Sequence, residues 1–373
     1  PDPSAMVGEL AEMGVRVMVS VWATVNPNSK YYEEMRRAGL LVRAERGNPA
    51  HMSIHDTWPG KPTYVTYYDP THPEARRFLW ERLREGYYRH GIKVWWLDAC
   101  EPEIYPVDHD NLRYHLGSGR EVAGLFPLMH QQGVYEGMRS EGEHEIITLC
   151  RSAWAGSQRY GAAVWSGDIP STFETLQAQV RSGLNMAMSG IPWWTTDTGG
   201  FYGGDPADPA FRELIVRWFQ YSTFCPILRL HGVREPVHGM NGGPNEIWSF
   251  GEEAYAILRE LLFVRERLKP YILEQMQTAS DTGLPPMRPL FFDFPSDQNC
   301  IEIEDQFLFG PDILVAPVMR LGQRSRPVYL PAETDWTDAW SGEKYAGGQW
   351  IQSPAPLERI PVYTRGNRRL PFR

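Results

Sequence analysis

Asp98 and Asp168 each come at the end of a predicted strand and are the candidates for acid–base or nucleophilic chemistry. Asp98 comes directly after the predominantly apolar residues 92–97, and Asp168 closes a polar and aromatic segment at residues 151–168. Two opposed carboxylates are what glycoside hydrolysis needs, because one attacks the anomeric carbon while the other protonates the leaving oxygen. In a retaining enzyme of this kind the two carboxyl groups lie roughly 5–5.5 Å apart.

Charged residues close to these aspartates indicate how they could be held. Arg151 is a permanently charged donor, which can bind sugar hydroxyls or keep a neighbouring carboxylate ionised. Glu101 and Glu103 follow Asp98 closely, and we expect them to orient the loop without taking part in proton chemistry. The alternative interpretation of Asp98 is a strand-end cap or an ordinary loop carboxylate.

The pattern of strands and helices predicts a parallel α/β sheet that positions these side chains. Apolar runs predict strands at residues 15–21, 92–97, 146–150, 162–165, 191–195 and 225–230. Helical spacing predicts helices at residues 31–37, 72–90, 127–140, 172–189, 209–224 and 252–278. Aromatic and polar residues cluster after the strands and not before them, which favours a (β/α)8 TIM barrel with its chemistry at the carboxyl strand ends.

Six strands are fewer than a closed barrel requires. Because the sequence opens in a helical segment at residues 1–14, we expect a TIM barrel lacking its first two β/α units. The missing N-terminal segment of the same protein would then be a partner of this chain; the alternative is that two strands escaped detection. Prolines and short strand-like runs after residue 283 predict a small all-β sandwich. The predicted domains are residues 1–282, the partial barrel with strands three to eight, and residues 283–373.

Composition and charge restrict the classes of ligand. The 373 residues carry a formal net charge of −9, which argues against electrostatic binding of nucleic acid or an anionic membrane. Aromatic residues make up 13% of the sequence; they pack in any core but also stack on the apolar faces of sugars. No apolar run could span a bilayer, the four cysteines are scattered, and the histidines show no metal-ligand spacing. We therefore predict no membrane span, no metal and no cofactor.

Four longer segments carry a resemblance to a known family. The sequences WWLDACEPE at residues 95–103 and RSAWAGSQRYGAAVWSGD at residues 151–168 resemble the two signature regions of glycoside hydrolase family 31. IPWWTTDTGGF at residues 191–201 and CPILRLHG at residues 225–232 are also similar to this family. Its members include α-glucosidases, α-xylosidases and α-transglucosylases.

The resemblance implies roles for the residues at matching positions. Asp98 is implied to be the nucleophile of a retaining double displacement, and Asp168 its general acid/base. Further residues are implied to line or approach the pocket of the reacting sugar, the −1 subsite: Trp22, Arg151, Trp165, Asp197 and His231. The family's pocket aspartate on its second barrel strand has no match in this sequence, and neither has the β-sandwich that precedes its barrel.

Each implied pocket residue has an alternative without function. Trp22 and Trp165 could be barrel core residues, and His231 a structural histidine. Asp197 precedes Gly199 and Gly200, so it could be a turn former.

The sequences of the motifs also indicate which sugar the protein acts on. LDACEPE and WWTTDTGGF look more like the bacterial α-xylosidase branch than the maltase branch, which favours α-xylosidase action on xyloglucan-type oligosaccharides. The alternatives within the family are α-glucosidase and α-glucosyltransferase. Outside it, a non-catalytic carbohydrate-binding protein would not need two strand-end aspartates with Arg151. A metal-dependent hydrolase would need a His/Asp cluster, whereas His231 stands alone. Oligomeric state and compartment stay open.

Overall fold

A computed structural model of the chain describes residues 2–56, 63–102, 108–238, 241–366 and 368. These residues form two compact units, Pro1–Val164 and Trp165–Arg373. Each unit contains part of the predicted site, and the two are described in turn.

The first unit is built on a parallel sheet with helices between its strands. Its strands are β1 Met18–Trp22, β2 Thr24–Val25, β3 Arg43–Ala44, β4 His51–Asp56, β5 Thr63–Tyr67, β6 Val94–Asp98, β7 Leu112–Arg113, β8 Thr148–Cys150 and β9 Ala162–Trp165. Its helices are α1 Pro3–Glu12, α2 Tyr32–Arg37, α3 Pro73–Gly86, α4 Gly119–Val122 and α5 Phe126–Ser140. β1, β6, β8 and β9 lie side by side and run parallel, whereas β2, β5 and β4 form a small antiparallel sheet.

Local sequence explains how the strand that carries Asp98 is set in place. α3 begins at Pro73, which needs no hydrogen-bond acceptor at the first helical position, and the His72 ring accepts a backbone N–H of the first turn. After the helix, Gly91 has a φ of 93°, a left-handed conformation that turns the chain into β6. α5 then packs closely against α3, because any side chain at Gly137 would overlap the Trp80 ring.

The second unit begins with helices and continues into strands. Its helices are α6 Phe173–Met188, α7 Pro209–Thr223, α8 Glu252–Thr282 and α9 Leu290–Asp293. Its strands are β10 Trp194–Thr195, β11 Arg234–His238, β12 Asn241–Gly243, β13 Met287–Arg288, β14 Phe307–Phe309, β15 Ile313–Val315, β16 Ser325–Leu330, β17 Trp336–Asp338, β18 Lys344–Tyr345, β19 Gln349–Pro354 and β20 Val362–Arg365.

Five of the six predicted barrel strands are confirmed to within a few residues by β1, β6, β8, β9 and β10. The predicted strand at residues 225–230 is wrong, because this segment forms no regular ladder. Pro226 has no N–H to donate. The segment makes isolated backbone bonds instead, from the Ile227 N–H to the Trp194 carbonyl at 3.3 Å and from the Thr198 N–H to the Arg229 carbonyl at 3.2 Å.

Apart from the short helix α9, the residues after α8 form the β-rich region that the sequence predicts. One antiparallel sheet contains, in this order, β13, β14, β15, β20, β17 and β18. A second sheet is formed by β16 and β19. Side chains from both sheets share one core, in which Leu314, Val328, Trp336 and Tyr363 are fully buried. α8 ends at Thr282, where Gly283 caps it with a φ of 80°. The domain boundary at residues 282/283 stays a prediction.

A buried arginine joins α7 to this β-rich region. Arg217 has no exposed surface, and its guanidinium donates to the carbonyls of Gln323, Ala355, Pro356 and Arg359 at 2.9–3.2 Å. Burial lowers the pKa of Arg217 to about 10, so the side chain is still charged at neutral pH. Its charge is thus distributed over backbone acceptors that lie more than 100 residues further along the chain.

No helix among the described residues has both the length and the apolar character that a membrane crossing requires.

Candidate active site

Asp98 is the last residue of β6 and lies in register with Trp22, the last residue of β1. Its side chain is 15% exposed, and its Oδ1 accepts the Ala99 N–H at 2.9 Å. Ala99 has a φ of 48°, which a residue with a side chain adopts at a cost of about 1–3 kcal/mol. The chain therefore turns sharply after the carboxylate. The neighbouring Trp22 is 44% exposed, so it is a surface residue of the strand end and not part of the core.

Arg151 follows β8 and brings a permanent positive charge to Asp98. Its Nη1 lies 3.4 Å from Asp98 Oδ1, and its side chain is only 10% exposed. Its Nε and Nη2 donate to the two carboxylate oxygens of Glu101 at 2.8 and 2.9 Å. Such a two-pronged pair fixes the plane of the guanidinium. Glu101 thus holds Arg151 in place, a pairing that the spacing of the sequence did not reveal, while Glu103 lies outside the described residues.

Trp165, Asp197 and Arg229 form a second cluster, in the second unit. Trp165 ends β9 and is buried, and the Arg229 guanidinium lies 5.2 Å from the centre of its ring. Arg229 also forms an ion pair with Asp197, whose side chain is fully buried. Asp197 accepts the Gly200 N–H with its backbone carbonyl, so it takes part in a turn as well as in the ion pair. Sequence reasoning missed Arg229; the only signal was its position two residues before His231.

Asp168 lies on a segment that is held mainly through its backbone. The Ile169 carbonyl accepts the N–H groups of Phe201 and Tyr202 at 2.7 and 3.1 Å, and the Ser171 N–H donates to the Tyr202 carbonyl at 3.0 Å. The Tyr202 hydroxyl lies 3.5 Å from Asp168 Oδ2. Tyr202 was not among the predicted residues.

Arg234 ties the segments of this second cluster together. It is completely buried, and it donates to Ser171 Oγ at 3.3 Å, to the Gly203 carbonyl at 3.1 Å and to the Thr198 carbonyl at 3.3 Å. Burial lowers its pKa to about 10, so it is charged at neutral pH. The segments after Asp168 and after Asp197 are thereby fixed to one cation.

His231 lies in the same cluster, with its ring 5.5 Å from that of Phe201. Burial, followed by the charges of Arg229 and Arg234, lowers the pKa of His231 to about 4. The imidazole is consequently neutral at physiological pH, with one nitrogen able to donate and the other to accept a hydrogen bond.

The structure thus groups the predicted residues in two sets. Asp98, Arg151 and Trp22 lie at neighbouring strand ends of the first unit, with Glu101 added. Trp165, Asp197 and His231 are gathered in the second unit around Arg229 and Arg234, and Asp168 lies on a segment fixed by Arg234. Within the described part of the chain, no group of three or more His, Cys, Asp or Glu side chains is arranged to hold a metal ion.

Comparison with known proteins matches both parts of the chain to one family. Residues 1–275 match the model of the glycosyl hydrolases family 31 TIM-barrel domain, and residues 283–368 match that of the glycosyl hydrolase family 31 C-terminal domain. The predicted fold class, a TIM barrel followed by an all-β domain, is confirmed by these two matches.

Individual relatives agree with the family models. A family 31 glucosidase of Pseudescherichia vulneris is 50% identical over 236 residues, 63% of this chain and 43% of that protein. An α-xylosidase of Saccharolobus solfataricus is 37% identical over 378 residues, 100% of this chain and 48% of that protein. The crystal structure of a family 31 α-xylosidase from a soil metagenome, complexed with xylose, has a TM-score of 0.92 and 52% identity, covering 98% of this chain and 55% of that one. The chain spans about half the length of these relatives.

Proposed function

Because the chain belongs to glycoside hydrolase family 31, we propose that the protein is a retaining α-glycoside hydrolase that removes terminal α-linked sugars from the non-reducing ends of oligosaccharides. Asp98 is the nucleophile and Asp168 the general acid/base. The observation that carries the proposal is the surroundings of Asp98, a carboxylate at the end of a parallel strand beside a guanidinium that a second carboxylate fixes.

Each half of the reaction forms one bond to the anomeric carbon and breaks another. In the first half, an Asp98 oxygen attacks this carbon from the face opposite the leaving oxygen. The bond between the anomeric carbon and the leaving oxygen breaks as Asp168 gives the leaving oxygen a proton. In the second half, Asp168 takes a proton from a water molecule, whose oxygen bonds to the anomeric carbon as the ester with Asp98 breaks. Two inversions leave the product with the α configuration of the substrate.

The charges around the site suit these steps. An attacking carboxylate must be ionised, and the Arg151 guanidinium stabilises the negative charge of Asp98 because it stays protonated at every relevant pH. His231 is neutral, because burial lowers its pKa to about 4, so it can exchange hydrogen bonds with sugar hydroxyls without adding a charge.

For the sugar itself we propose xylose. Two of the relatives described above are named α-xylosidases, and the structure of one of them was solved with xylose. The second candidate is glucose, because the relative from Pseudescherichia vulneris is named a glucosidase. Xylose lacks the hydroxymethyl group of glucose, and one pocket side chain can make this discrimination.

The decisive experiment compares 4-nitrophenyl α-xyloside with 4-nitrophenyl α-glucoside on the full natural chain. We expect kcat/KM for the xyloside to be higher by about tenfold or more, a discrimination that one side chain against a hydroxymethyl group can supply. NMR of the first product formed should show the α anomer.

Three outcomes would change the proposal. A preference for the glucoside would replace xylose by glucose as the substrate. A β anomer as the first product would exclude the retaining mechanism, and no cleavage of either compound would remove the α-glycosidase function.

A further inference from the structure

We propose that Trp154 is a stacking platform for the leaving part of the oligosaccharide, the sugars beyond the one that reacts at Asp98. This inference rests on the proposed function, since it assigns a place to the leaving group of that reaction. Trp154 lies in the loop after β8, at the carboxyl end of the strand that precedes Arg151, and 51% of its surface is exposed. Its indole therefore presents a large apolar area to solvent at the strand end that also carries Arg151.

Trp154 lies in the loop that follows β8, the same loop that carries Arg151 to Asp98. It follows Arg151 by three residues, and three residues span at most roughly 11 Å of backbone. Arg151 Nη1 in turn lies 3.4 Å from Asp98 Oδ1. The indole and the guanidinium beside Asp98 thus belong to one short loop at the carboxyl end of β8, which is why we assign the leaving sugars to Trp154.

The loop that carries Trp154 is fixed by buried polar side chains. The Trp154 N–H donates to Ser157 Oγ at 3.0 Å, and the Ser157 N–H donates back to the Trp154 carbonyl at 3.0 Å. Gln131 Nε2 donates to the Ser152 carbonyl at 2.9 Å, and both Gln131 and Ser157 are completely buried. Because the backbone is held on both sides of Trp154, little of its conformational freedom would be lost when a ligand binds.

A glycine determines which face of the indole is free. A Cβ at Gly124 would lie 2.9, 3.0 and 3.1 Å from three consecutive carbons of the Trp154 ring. Nearly equal distances to three neighbouring atoms mean that Gly124 lies over the face of the ring and not beside its edge. One face thus rests on the Gly124 backbone, and the exposed half of the residue is its opposite face and rim.

The chemistry of this surface fits a sugar ring. A pyranose in its chair form has a face of C–H groups, which stacks on an aromatic ring while the hydroxyl groups at its edge stay in water. Stacking of this kind needs a flat, pre-oriented aromatic face, which Trp154 supplies. It also tolerates different sugars, since it contacts C–H groups and not individual hydroxyls.

The test compares a substrate with leaving sugars against one without them, on the full natural chain. α-Xylosyl fluoride loses a single atom and so does not reach the platform, whereas a xyloglucan heptasaccharide does. In Trp154→Ala we expect kcat/KM for the heptasaccharide to fall about tenfold and that for the fluoride to change less than about twofold. Trp154→Tyr, which keeps a ring, should recover most of the loss. Trp350→Ala is the matched control, because Trp350 on β19 is 54% exposed, about as much as Trp154, and its replacement should leave both substrates unaffected.

Equal losses on both substrates, or no loss on either, would overturn the platform. If the natural chain cleaves neither substrate, the proposed function fails separately. Calorimetric titration with cellotetraose, which represents the backbone of xyloglucan, then tests the stacking platform separately from catalysis. A Kd about tenfold higher in Trp154→Ala than in the natural chain supports the platform. An unchanged Kd, or no binding of cellotetraose to the natural chain, overturns it.

Discussion

The surroundings of Asp98 and those of Asp168 are built from the same residue types in different arrangements. Asp98 has a guanidinium 3.4 Å from its carboxylate, and Glu101 fixes that guanidinium with two hydrogen bonds. On the Asp168 side, Arg229 pairs with Asp197, while Arg234 donates to backbone carbonyls and to Ser171 of the following segment. The Tyr202 hydroxyl lies 3.5 Å from Oδ2 of Asp168.

This difference matches the different demands of the two proposed roles. A nucleophile must remain ionised until it attacks, and a fixed cation beside the carboxylate favours that state. A general acid/base must gain and lose a proton in each cycle, and the backbone hydrogen bonds of its segment keep Asp168 in position while it does so. Arg151 thus supplies charge to one proposed catalytic carboxylate, whereas Arg234 fixes the backbone that carries the other.

The largest effect is expected from removing Asp98. Asp98→Ala should lower kcat for 4-nitrophenyl α-xyloside by on the order of 10⁴-fold or more, because no covalent intermediate can form. Added azide should restore part of the turnover by attacking the anomeric carbon directly, which gives the β-glycosyl azide, identified by NMR.

The control is Asp281→Ala, at an exposed carboxylate of α8, which should turn over like the natural chain. Substantial turnover by Asp98→Ala without azide would remove Asp98 as nucleophile.

A smaller and selective effect is expected from removing Asp168. Asp168→Ala should lose about 10²–10⁴-fold in kcat/KM with alkyl α-glycosides, whose leaving oxygen needs a proton, and much less with α-xylosyl fluoride, whose leaving group needs none. Azide should now yield the α-glycosyl azide, because it intercepts the ester with Asp98. The opposite azide configurations of the two variants are the sharpest test of the comparison, and a β azide from Asp168→Ala would reverse the two assignments.

The smallest effect is expected on the pH dependence of stability, when His231, which lies beside Arg229 and Arg234, is replaced. The folded pKa of His231 is lowered to about 4, whereas an unperturbed histidine titrates near 6.5. The unfolded chain therefore takes up a proton between pH 6.5 and 4 that the folded chain does not, and the free energy of unfolding decreases as pH falls through this window. His231→Gln should show a smaller decrease in urea midpoint from pH 7 to pH 5 than the natural chain.

His109→Gln, at an exposed histidine, serves as the control and should behave like the natural chain. If His231→Gln loses as much stability between pH 7 and pH 5 as His109→Gln, burial and the nearby cations do not keep His231 neutral.

Much of the barrel could be predicted from local patterns, because strands and helices differ in the period of their apolar residues. The strand that ends at Asp98 is an example: its apolar run and the preceding Gly91 predict β6 to within two residues. The strand predicted at residues 225–230 is wrong, since an apolar run next to a barrel can contribute isolated hydrogen bonds without forming a ladder.

The pairing of charges could not be predicted in the same way. Glu101 and Arg151 are 50 residues apart, and nothing in either local sequence indicates that they share two hydrogen bonds. Arg229 and Arg234 were overlooked because a single arginine in a sequence is usually a surface residue. Which cation holds a side chain and which holds a backbone depends on the folded structure alone.

Arg217 has a consequence for how such proteins can be recombined. Its four backbone acceptors lie beyond residue 322, in the part that matches the C-terminal family model, whereas α7 lies in the part that matches the barrel model. A chimaera that takes its all-β part from a relative must reproduce those carbonyl positions, or it leaves buried N–H groups of Arg217 without their backbone acceptors at a cost of about 1–3 kcal/mol each. We therefore expect crossovers near residue 283 to give stable chimaeras when both parents keep this arginine and the carbonyl positions that it binds.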